Sequence, residues 1–199
     1  MKGVFLRMWE LAKPYYERGR CYDIDQVKWM LKKAEIISKS FKVNTELLFP
    51  LVILHDVGYS AVGQKNPDIK ERDSKRIHMK RGAEIAQKIL EMLKYAPALT
   101  KQIVHYVSVH DNWALGDDSP YKECIEIAIF TDLDFLYVNS SYDAFRLTGE
   151  SMGLSPKEFY EVWIDDEKLT RRPFCCAYTK RFWETSIERI RKTLEEKPD

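Results

Sequence analysis

A chain of 199 residues matches one domain on the usual scale of about 100 to 200 residues, so a second full domain is not expected. Its 32 Lys and Arg against 31 Asp and Glu leave a formal charge of +1, which excludes a global basic field for nucleic acid or an acidic membrane. With 45% hydrophobic and 32% charged residues the composition is neither disordered nor fibrous, and a packed core is expected.

The start, MKGVFLRMWELAKPYYERGR, is charged throughout, unlike a secretory signal, and no run approaches the ~18 uncharged apolar residues of a membrane span. The expectation is a cytoplasmic protein with no membrane and no nucleic-acid partner. Cys21, Cys124, Cys175 and Cys176 lack CxxC spacing and suit reduced thiols. Apolar residues recur every three or four positions and strict alternation is scarce, which predicts an all-α, single compact helical domain. Helices are expected near 3–18, 24–41, 45–58, 78–94, 98–113, 121–138, 156–166 and 178–196, with Pro14 kinking or ending the first. Asp23 and Asn44 suit N-caps, and Pro120 and Pro156 suit helix starts. The polar stretch Ser60 to Arg76, broken by Gly63 and Pro67, is expected to form a loop. From Lys65 to Arg81 seven Lys and Arg face three Asp and Glu, a local charge of +4 that suits an anionic ligand. The final segment is expected as an amphipathic helix with Phe182, Ile187, Ile190 and Leu194 inward.

All four histidines fall within one window of 56 residues. His55 lies four residues after Leu51 and Asp56 four after Val52, so both continue apolar faces. His78 shares a face with Gly82, Ile85 and Ile89, whereas His110 follows Ile103 and Val107 on theirs; His105 is ~140° round from His110 and points elsewhere. Asp132 continues the stripe of Ile125 and Ala128, with Asp134 on the other side. Three imidazoles and two carboxylates from four helices therefore face inward. One ion shared among them removes the cost of burying each carboxylate alone. This donor set suits Fe, Mn, Co or Zn and is too rich in nitrogen for Ca.

The pair His55-Asp56 in LVILHDVGY, with RIHMKRGAEIA, IVHYVSVH and TDLDFL following in order, resembles the HD-domain superfamily of metal-dependent phosphohydrolases over about residues 18–140. A helical extension from about 140 to 199 would complete the domain. The resemblance implies metal ligands at His55, Asp56, His78, His110 and Asp132. At the place of a further family histidine YDIDQVKWM has Gln26, on the stripe of Met30, Ala34 and Ile37. An amide carbonyl is the poorer ligand, so the ion held by His55, Asp56 and Asp132 should bind more weakly, while a second site at Asp56, His78 and His110 stays intact.

Hydrolysis of a phosphate ester, on a nucleotide or a related small phosphorylated metabolite, is the activity the resemblance implies, with one or two ions of Fe, Mn, Co, Ni or Zn, or Mg. Asp56 would be ligand and proton acceptor, with Lys80 and Arg81 neutralising phosphate charge. Tyr59, Asn112 and Trp113, at helix ends near the pocket mouth, would join them in binding substrate, an aromatic ring offering a surface for a base. The alternatives are a degenerate ligand-binding protein without turnover and a diiron oxygenase. A homodimer is compatible with the sequence.

Overall fold

Residues 3–20, 22–62 and 71–196 are described by the computed structural model, and among them every regular element is helical, as the all-α pattern predicts. The chain divides into two units, Met1–Phe130 and Thr131–Asp199. The division falls inside a helix, ahead of the boundary expected near residue 140, because the second unit has a core of its own.

The first unit holds α1 (Val4–Arg18), α2 (Asp23–Ser40), α3 (Thr45–Leu54), α4 (Glu71–Met92), α5 (Pro97–Val109) and the start of α6 (Ile125–Leu136). Their inward stripes make a core of Met30, Ala34, Leu48, Leu51, Val52, Ala86, Ile103 and Val107, none more than 2% exposed. Asn44 caps α3 as expected, its side chain accepting from the Glu46 N–H at 3.0 Å. Asp23 does not cap α2: it is the first helical residue, and its carboxylate turns back to Arg20. Pro14 does not end α1, which runs four residues beyond it.

Part of the stretch expected as a loop is helical, for α4 begins at Glu71. Acidic residues in a first turn complement the helix dipole, and Asp73 already pairs with Arg76. Residues 63–70, with Lys65 and Lys70, lie outside the described residues, as does Cys21. Among the described residues Cys124, Cys175 and Cys176 are free thiols.

In the second unit α7 (Tyr142–Ser151), α8 (Pro156–Ile164), the single turn α9 (Lys168–Arg171) and α10 (Ala177–Glu196) surround Phe145, Phe159 and Ile190. Pro156 opens α8 as expected, behind a reciprocal cap between Ser155 and Glu158. No helix was predicted at α7. It buries only Phe145 and Gly149, too few apolar positions to make a periodic stripe, and its start depends on Ser141 accepting from the Ala144 N–H. On α10 Ile190 is buried and Phe182, Ile187 and Leu194 are half-buried, the face the sequence predicts.

Two glycines set the spacing that matters most. After α3 the chain makes a 3-10 turn, Val57–Ala61, that lies directly on α4. A Cβ on Gly58 would stand 1.9 Å from the His78 carbonyl oxygen and 2.5 Å from the Gly82 nitrogen, and one on Gly82 would meet the His55 carbonyl oxygen at 3.3 Å. Backbone thus touches backbone where His55 and Asp56 approach His78. Because helix backbone cannot yield as a side chain can, Gly58→Ala is expected to lower stability by about 3 kcal/mol or more, read from chemical denaturation midpoints.

Candidate metal centre

His55 and His110 follow directly on the last residues of α3 and α5, where helix carbonyls lack intrahelical partners. Each imidazole uses its Nδ1 to satisfy one of them, His55 to Val52 O at 3.0 Å and His110 to Val107 O at 2.8 Å. His78, inside α4, does the same to Ser74 O at 3.1 Å. A carbonyl oxygen only accepts, so all three Nδ1 atoms carry a proton, and each ring turns its Nε2 away from the helix carbonyl that Nδ1 satisfies.

The Nε2 atoms of His78 and His110 lie 3.2 Å apart, and Oδ1 of Asp56 is 3.2 Å from the second and 3.6 Å from the first. Three potential ligand atoms thus converge in a place where all three residues are buried. A cation with bonds of ~2.1 Å puts its ligands about 3.0 to 3.4 Å apart at adjacent positions, close to the edges of this triangle. The residues fit a divalent ion, and fixed Nδ1–H donors are the usual support of ligating imidazoles.

The surrounding charges are equally ordered. Asp56 Oδ2 accepts from Arg20 Nη2 at 2.6 Å and lies 3.4 Å from His55 Nε2. Burial drives the Asp56 carboxyl up, but His55, Arg20 and the His110 hydrogen bond outweigh it and hold the group ionised, well below the usual range. Lys75, one turn ahead of His78, donates to Asp111 Oδ2 at 2.5 Å; that oxygen is 3.4 Å from His78 Nε2. Burial disfavours both charges, yet each keeps the other ionised, Asp111 below and Lys75 above its ordinary pKa.

Of the residues expected in the site, His55, Asp56, His78, His110, Asp132 and Gln26 are all buried, and Asp56, His78 and His110 form the cluster. His105 is half-exposed and lies near Glu123, away from the stripe as predicted. Gln26 sits buried on α2, and from just ahead of that helix Arg20 reaches Asp56. Asp132 belongs to the second unit, where Oδ1 takes the ammonium of Lys168 at 2.8 Å and Oδ2 takes the Cys175 N–H and the Thr179 hydroxyl at 2.8 and 2.7 Å.

Lys80 and Arg81 are exposed, Lys80 about 200° round α4 from His78 and Arg81 pairing with Glu84. The cation at the cluster is Lys75 instead. Tyr59 is 6% exposed, with its ring against the Arg20 guanidinium at 3.5 Å and the His78 ring at 4.1 Å, so it supports those groups and offers no surface to a base. Trp113 donates to Asp111 Oδ1 at 3.0 Å, while Asn112 bonds Asp117; both are half-buried in the 3-10 turn Asn112–Leu115.

Arg20, Lys75 and Asp111 were missed. A signal existed for Asp111: His110-Asp111 repeats the His55-Asp56 dipeptide, and each Asp has φ of −104° at the start of a 3-10 turn. Lys75 was hidden in a stretch taken for a loop, and only spacing from His78 on a helix would have marked it.

His78 is pushed down to about 3 by burial and then by the neighbouring His110 ring. Between the ordinary imidazole value of about 6.5 and that value the unfolded chain holds a proton that the folded chain does not, so its contribution is present above 6.5 and is lost as pH falls. Asp23, pushed up to about 7 by burial and by Asp56, has the opposite sign but is common to the wild type and a His78→Asn variant. In chelator, the stability of the wild type is expected to fall more steeply than that of His78→Asn from pH 6.5 to 4, by denaturation at stepped pH.

The family model described as HD domain matches residues 25–133, more than half of the chain, a span that includes every residue of the cluster and Asp132. Comparison with curated proteins and with solved structures returns no match.

Proposed function

The chain belongs to the HD-domain family, whose members are in general metal-dependent hydrolases, and from that premise we propose that it hydrolyses a phosphate ester of a small metabolite, a nucleotide or a close relative. The observation that carries this reading is the meeting of two imidazole Nε2 atoms and Asp56 Oδ1 within 3.6 Å of one another. Asp56, His78 and His110 would hold a divalent transition ion, or Mg, which when bound supplies Lewis acidity toward a water molecule and a phosphoryl oxygen.

The protein's own groups do the rest. His78 and His110 are held in register by their Nδ1–H donors, and Asp56 is held by Arg20, so the donors are already in place before a substrate arrives. Lys75, partly exposed beside the cluster, is the cation placed to meet phosphoryl charge, and Asp111 orients it. Lys80 and Arg81, on the exposed face, are assigned no role in the reaction. Trp113, within 5.7 Å of the Lys75 ammonium, is the aromatic ring placed to lie beside an organic group of the substrate.

Elemental analysis of protein purified without chelator, followed by a phosphatase screen over nucleotides and sugar phosphates with Mn, Co, Ni or Mg, tests the reading. A bound transition ion and turnover of at least one phosphate ester are expected; a metal-free protein inactive with every ion would overturn it. Asp56→Ala is expected to lose both bound metal and hydrolysis. Lys75→Ala should keep the metal and lower kcat/KM by about 100-fold, the scale for removing one preorganised charge-stabilising group.

A further inference from the structure

Among the groups packed around Asp56, a guanidinium is the least expected beside a carboxylate that would ligate metal. Arg20 Nη2 lies 2.6 Å from Asp56 Oδ2, and its Nε lies 2.8 Å from Asp23 Oδ2. Its carbon sits 3.5 Å over the Tyr59 ring, and the Tyr59 ring stacks in turn on His78 with 7° between planes. Two carboxylates and an aromatic face therefore grip one positive charge whose side chain is 25% exposed.

The backbone makes this grip. A Cβ on Gly19 would stand 2.7 Å from the Ser60 nitrogen and 2.8 Å from the Tyr59 carbonyl carbon, so the end of α1 is seated against the 3-10 turn after Asp56. The residue after Gly19 is delivered to Asp56 by contact between main chains, and Asp23 in the first turn of α2 receives it from the other side.

We propose that the Arg20 guanidinium is a resident cation on the Oδ2 side of Asp56 and thereby limits the centre to one divalent ion, held on the Oδ1 side with His78 and His110. This rests on the metal-centre reading above. A carboxylate can bridge two cations, one on each oxygen, and here one of the two places is taken by the protein. Asp23 Oδ1, buried and with no hydrogen-bond partner among the described residues, and His55 Nε2, 3.4 Å from Asp56 Oδ2, stand on the side that Arg20 occupies. Without the guanidinium, the Asp23 and Asp56 carboxylates would present a second set of acceptors on that side.

Charge agrees with a single ion. Asp23, Asp56 and Asp111 against Arg20 and Lys75 leave one formal negative charge. One divalent ion would turn that into a single positive charge, and two would leave three positive charges in a buried place, which is expensive at low dielectric.

Full-length protein stripped with chelator and titrated with Mn2+ tests this, with bound metal counted by elemental analysis after desalting and free Mn2+ followed by EPR. One ion per chain is expected for the wild type and for Arg20→Lys, and two for Arg20→Gln. Two ions in the wild type or in Arg20→Lys, or one ion at unchanged affinity in Arg20→Gln, would overturn the proposal while leaving the metal centre standing. No ion in the wild type would overturn the metal centre and this proposal with it. If Arg20→Gln does not fold, the counts for the wild type and Arg20→Lys decide.

Discussion

Two imidazole nitrogens and a carboxylate oxygen brought together in a buried place are the constraint around which the first unit is organised. His78 Nε2, His110 Nε2 and Asp56 Oδ1 lie within 3.6 Å of one another. A buried carboxylate between two imidazoles calls for positive charge close by. The structure meets that demand with Arg20 on one flank and Lys75 on the other, and the family to which the chain belongs meets it with a metal ion.

Helix ends produce this arrangement. α3 and α5 both stop at a histidine whose Nδ1 takes up a carbonyl left over by the helix, and both pass the chain through an aspartate into a 3-10 turn. The same bond that finishes the helix sets the tautomer and aims Nε2 inward, so the chemistry of the site and the termination of the helix are one event. Gly58 and Gly82 let the turn after Asp56 lie on α4, and the third imidazole comes within reach for that reason.

The second unit uses its buried aspartate in another way. Asp132 gathers the Lys168 ammonium, the Cys175 N–H and the Thr179 hydroxyl, with Phe174 3.7 Å from the ammonium. Lys168 is wholly buried, and burial lowers its pKa against the pull of Asp132. Removing either partner would strand a charge in the interior, so this pair ties α9 and the start of α10 to α6.

What the sequence determined by itself is whatever local periodicity encodes. The all-α class, most helix positions, the burial of His55, Asp56, His78, His110 and Asp132, and the outward turn of His105 all follow from a residue's place on a stripe, because a helix fixes direction every 3.6 residues. Only the tertiary structure decided which buried groups meet and which cations serve them. Arg20 reaches Asp56 across 36 residues and Lys75 reaches Asp111 across 36, contacts set by main chains touching at Gly19 and Gly58. Lys80 and Arg81 stand nearer to His78 in the sequence, yet both are exposed, and Arg81 pairs with Glu84. Periodicity says which way a side chain points from its own axis; the distance between two axes is settled by what packs between them, and no single segment carries that.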